Sequence, residues 1–254
     1  MRILSYGAIL AAMCCPLDAY GAGPEHFIPD CAGVIAIAHA RVERVERDGT
    51  LILSGGRVLR LEGIRLPTAT DATVYDQALQ VLRDAALSGP VNFTVTAPAL
   101  DRYGRLRAHG FGREWLQMAL LERGLARVQV SPDRQECAPD LYDAEALARS
   151  RHLGIWALSS YRLRTPWALK DATGSFQIVE GQVSHIGRAD GKTFLDFGDR
   201  QFSAVIGSGD RRAFRDFDFD ELSGRRIRTR GFVQDYRGRA EIVLSNPYQI
   251  EVVD

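Results

Sequence analysis

The amino-acid sequence predicts a mainly β fold with helices (α+β), built as two consecutive units. Three observations carry this. Short alternating segments separated by Asp-Gly and Gly-Gly turns open the chain, helix-period segments occupy its middle, and strand-like segments return after residue 175. Composition supports a folded core: 46% of the 254 residues are hydrophobic, which excludes disordered and low-complexity architectures. Thirty-two basic residues balance 32 acidic ones, so bulk electrostatics would not coat this chain onto nucleic acid, although a local basic site remains open. No apolar run approaches the roughly 18 residues of a membrane span.

The elements follow in order. From Gly33 to Leu66 the pattern is strand-like, with hairpin turns at Asp48-Gly49 and Gly55-Gly56 and alternation through Val58, Leu59, Arg60 and Leu61 to Ile64. Asp71 is a candidate N-cap, followed by Val74, Ala78, Val81, Leu82 and Ala85 at helical spacing, and Gly89-Pro90 stops that helix. A strand over 91–97 leads through Asp101-Arg102-Tyr103-Gly104-Arg105, a turn, into a strand ending at Phe111. Two helices are expected next, over 114–124 with Gly124 as its stop, and over 139–156, opened by Pro139-Asp140 and closed at Gly154. After a connector with Pro166, five strands are expected at 176–187, 192–198, 202–207, 225–238 and 240–253, with one short helix over 210–222. Five strands with a helix between the third and fourth is the pattern of a small oligonucleotide/oligosaccharide-binding (OB) barrel.

The amino end has the parts of a secretory signal peptide: Arg2, an apolar stretch from Ile3 to Cys15, and small residues at Ala19-Tyr20-Gly21, with cleavage expected after Gly21. The protein is therefore expected to be secreted or periplasmic. Cleavage leaves only Cys31 and Cys137, and two cysteines in an exported chain are expected to pair. Closing so long a loop is worth about 4 to 5 kcal/mol in the chain-entropy account. His26, His39, His109, His152 and His185 have no metal-ligand spacing and read as structural or surface residues.

The order of the first hairpins, LRLEGIRLPT at 59–68, a helix, DRYGR at 101–105, WLQMALLERGLARV at 115–128 and AEALARSRHLGIW at 144–156 resembles the staphylococcal-nuclease (thermonuclease) family, over roughly residues 33–158. Residues 176–254 resemble the additional OB-like domain of some secreted bacterial relatives. The organisation implied is a signal peptide at 1–21, a nuclease-like domain at 24–158, a linker at 159–175 and an OB-like domain at 176–254. Both folded units are then OB-type β-barrels, the first nuclease-like. The family's chemistry is calcium-assisted phosphodiester cleavage, with two metal aspartates, a glutamate general base and two phosphate-binding arginines.

Carried over residue by residue, the resemblance places Arg60 and Arg105 at the phosphate arginines and Tyr103 at a substrate-side aromatic. The carboxylates are missing. Gly49 stands at the first metal aspartate, Arg65 at the second and Thr68 at the general base. A guanidinium repels a divalent ion and a threonine hydroxyl is not a useful base. The resemblance therefore implies a nuclease homologue without the usual activity and with no resident cofactor. Its arginine pocket, including Arg65, would hold single-stranded nucleic acid, another phosphate-bearing ligand or an envelope protein partner. Two alternatives stand beside it: an active endonuclease that recruits calcium through Asp48, Glu62 or Asp71, and a purely structural envelope module. Arg60 and Arg105 would alternatively pair with Glu62 and Asp101 and only stabilise the fold.

Three further features remain open. Lys170 and Lys192 are the only lysines, so 30 of the 32 bases are arginine, which suits either planar anions or mere codon usage. In the second unit Phe194, Phe197, Phe202, Phe232, Tyr236 and Tyr248 accompany Arg225, Arg226, Arg228 and Arg230. They would either track a single strand or divide between barrel core and solvent. Gly207-Ser208-Gly209 before the expected helix hints at a phosphate nest and otherwise is a turn.

Overall fold

A computed structural model describes residues 28–253, so the expected signal peptide and His26 lie outside the described residues. The first half contains β1 (Val34–Ala40), β2 (Val42–Val45), β3 (Leu51–Leu53), β4 (Val58–Leu61), β5 (Ile64–Arg65), α1 (Ala72–Leu87), β6 (Val91–Val95), β7 (Leu106–Phe111), α2 (Leu116–Leu121), β8 (Arg127–Val128) and α3 (Ala138–Ser150). Six strands form a sheet in the order β1-β6-β7-β4-β3-β2, and β5 pairs with β8. The two edges of that order, β1 and β2, are separated in sequence only by Arg41, so they are successive stretches of one bent strand. The β4–β7 pairing is parallel and sets Arg60 beside Arg107. The apolar face of the sheet, with Leu51, Leu59 and Phe93, is covered by Ala78, Leu82 and Ala86 of α1 and by Leu116 and Leu120 of α2.

The first helix has the expected extent, whereas α2 and α3 are shorter than their periodicity predicts. Asp71 occupies the N-cap position of α1 without capping it, because its carboxylate accepts hydrogen bonds from Thr68 and Tyr161 instead. The helix expected over 139–156 ends at Ser150. Gly154 opens a 3-10 turn because the chain there crosses Gly124. A Cβ on Gly124 would lie 2.3 Å from the Leu153 carbonyl oxygen, and one on Gly154 would lie 2.3 Å from that of Gly124. Ile155 N–H donates to the Gly124 carbonyl at 2.9 Å across this crossing.

The second half contains β9 (Phe176–Ala189), β10 (Lys192–Phe197), β11 (Phe202–Ile206), β12 (Arg226–Tyr236), β13 (Arg239–Leu244) and β14 (Ile250–Val252). Pairings run β9-β10-β11-β13-β12 and return from β12 to β9, with β11–β13 parallel. This is one strand more than expected. The fifth predicted strand breaks at Asn246-Pro247, where a 3-10 turn intervenes before β14 pairs with β12. The helix expected over 210–222 is two 3-10 segments, Arg211–Phe214 and Asp220–Leu222. Three phenylalanines at 214, 217 and 219 cluster there, a spacing of side chains that a single α-helix would splay apart. The architecture is thus mostly β with three α-helices. Among the described residues no helix is long and apolar enough to cross a membrane.

Cys31 and Cys137 form a disulfide, with Cα atoms 5.1 Å apart, that fastens the chain before β1 to the start of α3. The two halves are joined by buried arginines. Arg127 donates to the Phe176 carbonyl at 2.7 Å, and its guanidinium lies 4.9 Å from the Tyr161 ring and 4.8 Å from the Phe176 ring. Arg230 of β12 donates to Glu145 of α3 at 2.7 Å and lies over Tyr142. The connector between the halves takes part in packing, with Tyr161 and Leu169 buried.

Candidate functional site

The Asp48-Gly49 turn, strand β4, the short strand β5 and the 101–105 turn converge on a cleft. One part, of about 420 Å³, is lined by Arg60, Arg65, Tyr103, Arg105, Arg107 and their carboxylate neighbours. A second hollow, of about 240 Å³, shares Arg60 and Arg65 and extends to Asp48, Gly49 and Tyr75. The arginines named from the sequence, Arg60, Arg65 and Arg105, therefore line one cleft, together with Tyr103.

Their environments differ. Arg60 is exposed on β4, and among the described residues it has no hydrogen-bond or ion-pair partner. Its expected neighbour Glu62 is buried, accepts from Ser131 Oγ at 2.8 Å and pairs with Arg107 at 3.6 Å. The expected Arg60–Glu62 pair is therefore not formed, because Glu62 is the residue at which the chain leaves β4 and turns inward.

Arg105 is bound within its own turn. Its Nε donates to Asp101 Oδ2 at 2.8 Å, while Asp101 Oδ1 accepts the backbone N–H groups of Tyr103 and Arg105. Burial alone would raise the Asp101 carboxyl, but these hydrogen bonds and the guanidinium outweigh it and bring its pKa below the ordinary value. Arg105 Nη1 lies 3.8 Å from Asp48, leaving that end directed along the cleft. Burial likewise opposes ionisation of Asp48 and is outweighed by its bonds from Thr50 and by Arg105 and Arg60. Tyr103 is exposed beside Arg105, with 5.1 Å between the guanidinium and the ring centroid.

Arg65 is half-buried, and burial followed by the nearby Arg60 charge lowers its pKa. Its Nη1 reaches Gln129 at 3.5 Å, its buried Nε has no hydrogen-bond partner, and its guanidinium lies 4.9 Å over the Phe232 ring. Thr68 donates to Asp71 at 2.7 Å, and its backbone N–H donates to the Tyr161 hydroxyl.

Residues 58–158 match the family model of the staphylococcal nuclease homologues. This segment is a staphylococcal-nuclease-like domain. No curated protein matches the chain at a significant level. The positions that the sequence resemblance sets at the family's metal ligands, Gly49 before the matched segment and Arg65 within it, do not fit a divalent cation. Gly49 offers no side chain, and Arg65 offers only donors, whereas calcium takes hard oxygen acceptors. The carboxylates within sequence reach already have partners: Asp48, in the cleft, accepts from Thr50 and faces Arg105, Glu62 accepts from Ser131 and pairs with Arg107, and Asp71 accepts from Thr68 and Tyr161. Among the described residues the sole group of three His, Cys or carboxylate ligand atoms drawn together is the disulfide pair with Asp140, which is not in this cleft.

One member of the cleft was not apparent from the sequence. Arg107 faces it from β7, bound to Asp133 at 2.7 Å, and only its place beside Arg60 across the parallel β4–β7 pairing would have signalled it. Phe232, noted in the sequence among the aromatics of the second half, comes from the second sheet and lines an adjoining hollow. Of the arginines in the second half, Arg228 pairs with Glu180 and Glu251 and Arg230 is buried against Glu145, so these two do not face solvent as a basic stripe. Phe197 and Phe202 fill the core, whereas Phe232, Tyr236 and Tyr248 are exposed. Gly207-Ser208-Gly209 precedes a 3-10 segment and not an α-helix, so no helix dipole backs it.

Proposed function

We propose that this protein is an exported, non-hydrolysing nuclease homologue whose arginine cleft binds a phosphate-bearing ligand. The observation that carries the reading is that one cleft is lined both by Arg60, which has no hydrogen-bond or ion-pair partner among the described residues, and by Arg65, which the resemblance sets at the position of a metal aspartate. An oxyanion in the cleft would accept from Arg60 and Arg65 and from the outer end of Arg105, which it would share with Asp48, and such charge-assisted bonds are the strong ones. Arg65 supplies positive charge that needs no metal, but supplies no base, so binding is favoured without cleavage. Residence in an oxidising compartment, secreted or periplasmic, is supported by the pairing of Cys31 with Cys137. An envelope protein presenting phosphate-like anionic groups would engage the same cleft.

The test is a paired assay on the mature protein. Binding of fluorescent single-stranded DNA and RNA is measured alongside their cleavage in calcium, in magnesium and in chelator. Binding lost in Arg60→Ala/Arg105→Ala, with cleavage at background in all three buffers, is the expected result. Metal-dependent cleavage lost in the same variant would establish an active enzyme with rearranged carboxylates. A folded protein that neither binds nor cleaves would be a structural module.

A further inference from the structure

We infer that the ligand is a single strand of nucleic acid and that the second sheet forms part of its site, with Phe232 and Arg65 together making a base-stacking platform. This rests on the anion-binding reading of the cleft and extends it across the junction between the two halves.

The observations are geometric. Gln129 and Ser131 line both the arginine cleft and an adjoining hollow of about 230 Å³ whose far wall is Phe232, Gln234, Ser245 and Gln249. The two hollows therefore adjoin at these residues. Phe232 is 39% exposed although its edge-on neighbour Phe176 is buried, so the ring is held by Phe176 and Arg65 and still reachable from solvent. Arg65 lies across this junction. It lines the cleft, its guanidinium sits 4.9 Å over Phe232, and of its donors only Nη1 has a partner, at the long distance of 3.5 Å. Phe232, Gln234 and Tyr236 alternate along the exposed side of β12, so an apolar ring and polar groups continue outward from the cleft. The junction is fixed, because β12 is held to α3 by the Arg230–Glu145 pair and the start of β9 by Arg127.

Chemistry selects the ligand. Arginines that bind phosphate, beside an aromatic ring capped by a flat guanidinium, fit a chain with alternating anionic links and π faces. A paired duplex hides those faces, whereas an unpaired strand presents them to aromatic rings and guanidinium planes.

The experiment measures anisotropy of fluorescent oligothymidylate and oligouridylate of about twelve nucleotides, a length within the span of OB-type sites, and of the corresponding duplex. Phe232→Ala should weaken single-strand binding about tenfold, the effect expected for one stacked base. Phe232→Leu keeps the apolar contact with Phe176 while removing the aromatic face, and should show the same loss even if the alanine variant folds poorly. Phe232→Tyr should bind within about twofold of the parent. Unchanged binding by Phe232→Leu, or duplex binding as tight as single-strand binding, overturns this inference while an Arg60→Ala/Arg105→Ala loss leaves the anion site standing. No binding by the parent protein overturns both.

Discussion

Arg230 on β12 places its Nη1 2.7 Å from Oε2 of Glu145 on α3, both side chains buried, and this pair ties the second sheet to the nuclease-like domain. Glu145 is engaged on all sides. Its other oxygen accepts the Val128 N–H at 2.7 Å, and Arg149 donates to it from the next turn at 3.3 Å. Arg230→Met should cost about 3 to 5 kcal/mol, since it leaves a buried carboxylate short of its main counter-charge. Adding Glu145→Leu should recover only part of that, because Val128 N–H and Arg149 then lose their acceptor. Urea denaturation of the two variants and the parent measures both effects.

A second prediction concerns acid. His109 is buried in β7 with both ring nitrogens unpartnered, edge-on to Trp115, and its pKa is lowered to about 4 by burial and then by Arg134, against a small opposing pull from Glu136. The unfolded chain takes up this proton near pH 6.5 and the folded one near 4, so the unfolded state holds more protons between those values. Stability is therefore retained above about pH 6.5 and falls as the pH drops toward 4, by up to about 3 kcal/mol. His109→Phe should flatten the dependence of the urea midpoint on pH in that window. Asp101 and Asp133, whose pKa values lie below the ordinary 3.8, lose their stabilising contribution only at lower pH, so the two effects separate along the pH axis.

The disulfide gives a third. Cys31 and Cys137 are 106 residues apart, and opening a loop of that size enlarges the unfolded ensemble by an entropy worth about 4 to 5 kcal/mol. Reduction, or replacement of both cysteines by serine, should lower the urea midpoint accordingly without altering the arginine cleft. Anisotropy with labelled oligonucleotide at low denaturant checks the second half of that statement.

What was legible in the sequence was local. The Asp48-Gly49 turn, the alternation around Arg60 and the self-bonded turn from Asp101 to Arg105 are each determined within a few residues, and together they bring Arg60 and Arg105 onto one cleft. What was not legible depends on distant partners. Arg230 sits in a run of arginines that reads as solvent-facing, and nothing within that run indicates that Glu145 is its buried partner. Helix ends failed for the same reason. The periodicity to Trp156 continues past Ser150, but the crossing at Gly124 and Gly154 stops the helix. Phe232 alternates as any barrel residue would, and its meeting with Arg65 arises only from how the two sheets are joined.

The last prediction asks whether the missing carboxylates alone account for the altered site. Gly49 has φ near +79°, and a Cβ there would lie 2.5 Å from Leu66 Cδ1, so an aspartate at 49 must adopt a left-handed backbone and push the Leu66 side chain aside. Gly49→Asp should cost about 1 to 3 kcal/mol through the left-handed conformation, before the displacement of Leu66 is added. Arg65→Asp would remove the contact with Phe232 and put a carboxylate in the cleft that Arg60 lines, where the arginine competes with a cation for it. The triple variant Gly49→Asp/Arg65→Asp/Thr68→Glu should therefore melt earlier than the parent and still show no cleavage of single-stranded DNA above the chelator control when calcium is supplied. Calcium-dependent cleavage by that variant would mean that the cleft keeps the geometry of an active site and lacks only its acids. Failure to cleave, in a protein shown by its melting curve to be folded, would mean that the turn carrying Gly49 has been rebuilt around Leu66 and that the cleft is now shaped to hold a ligand.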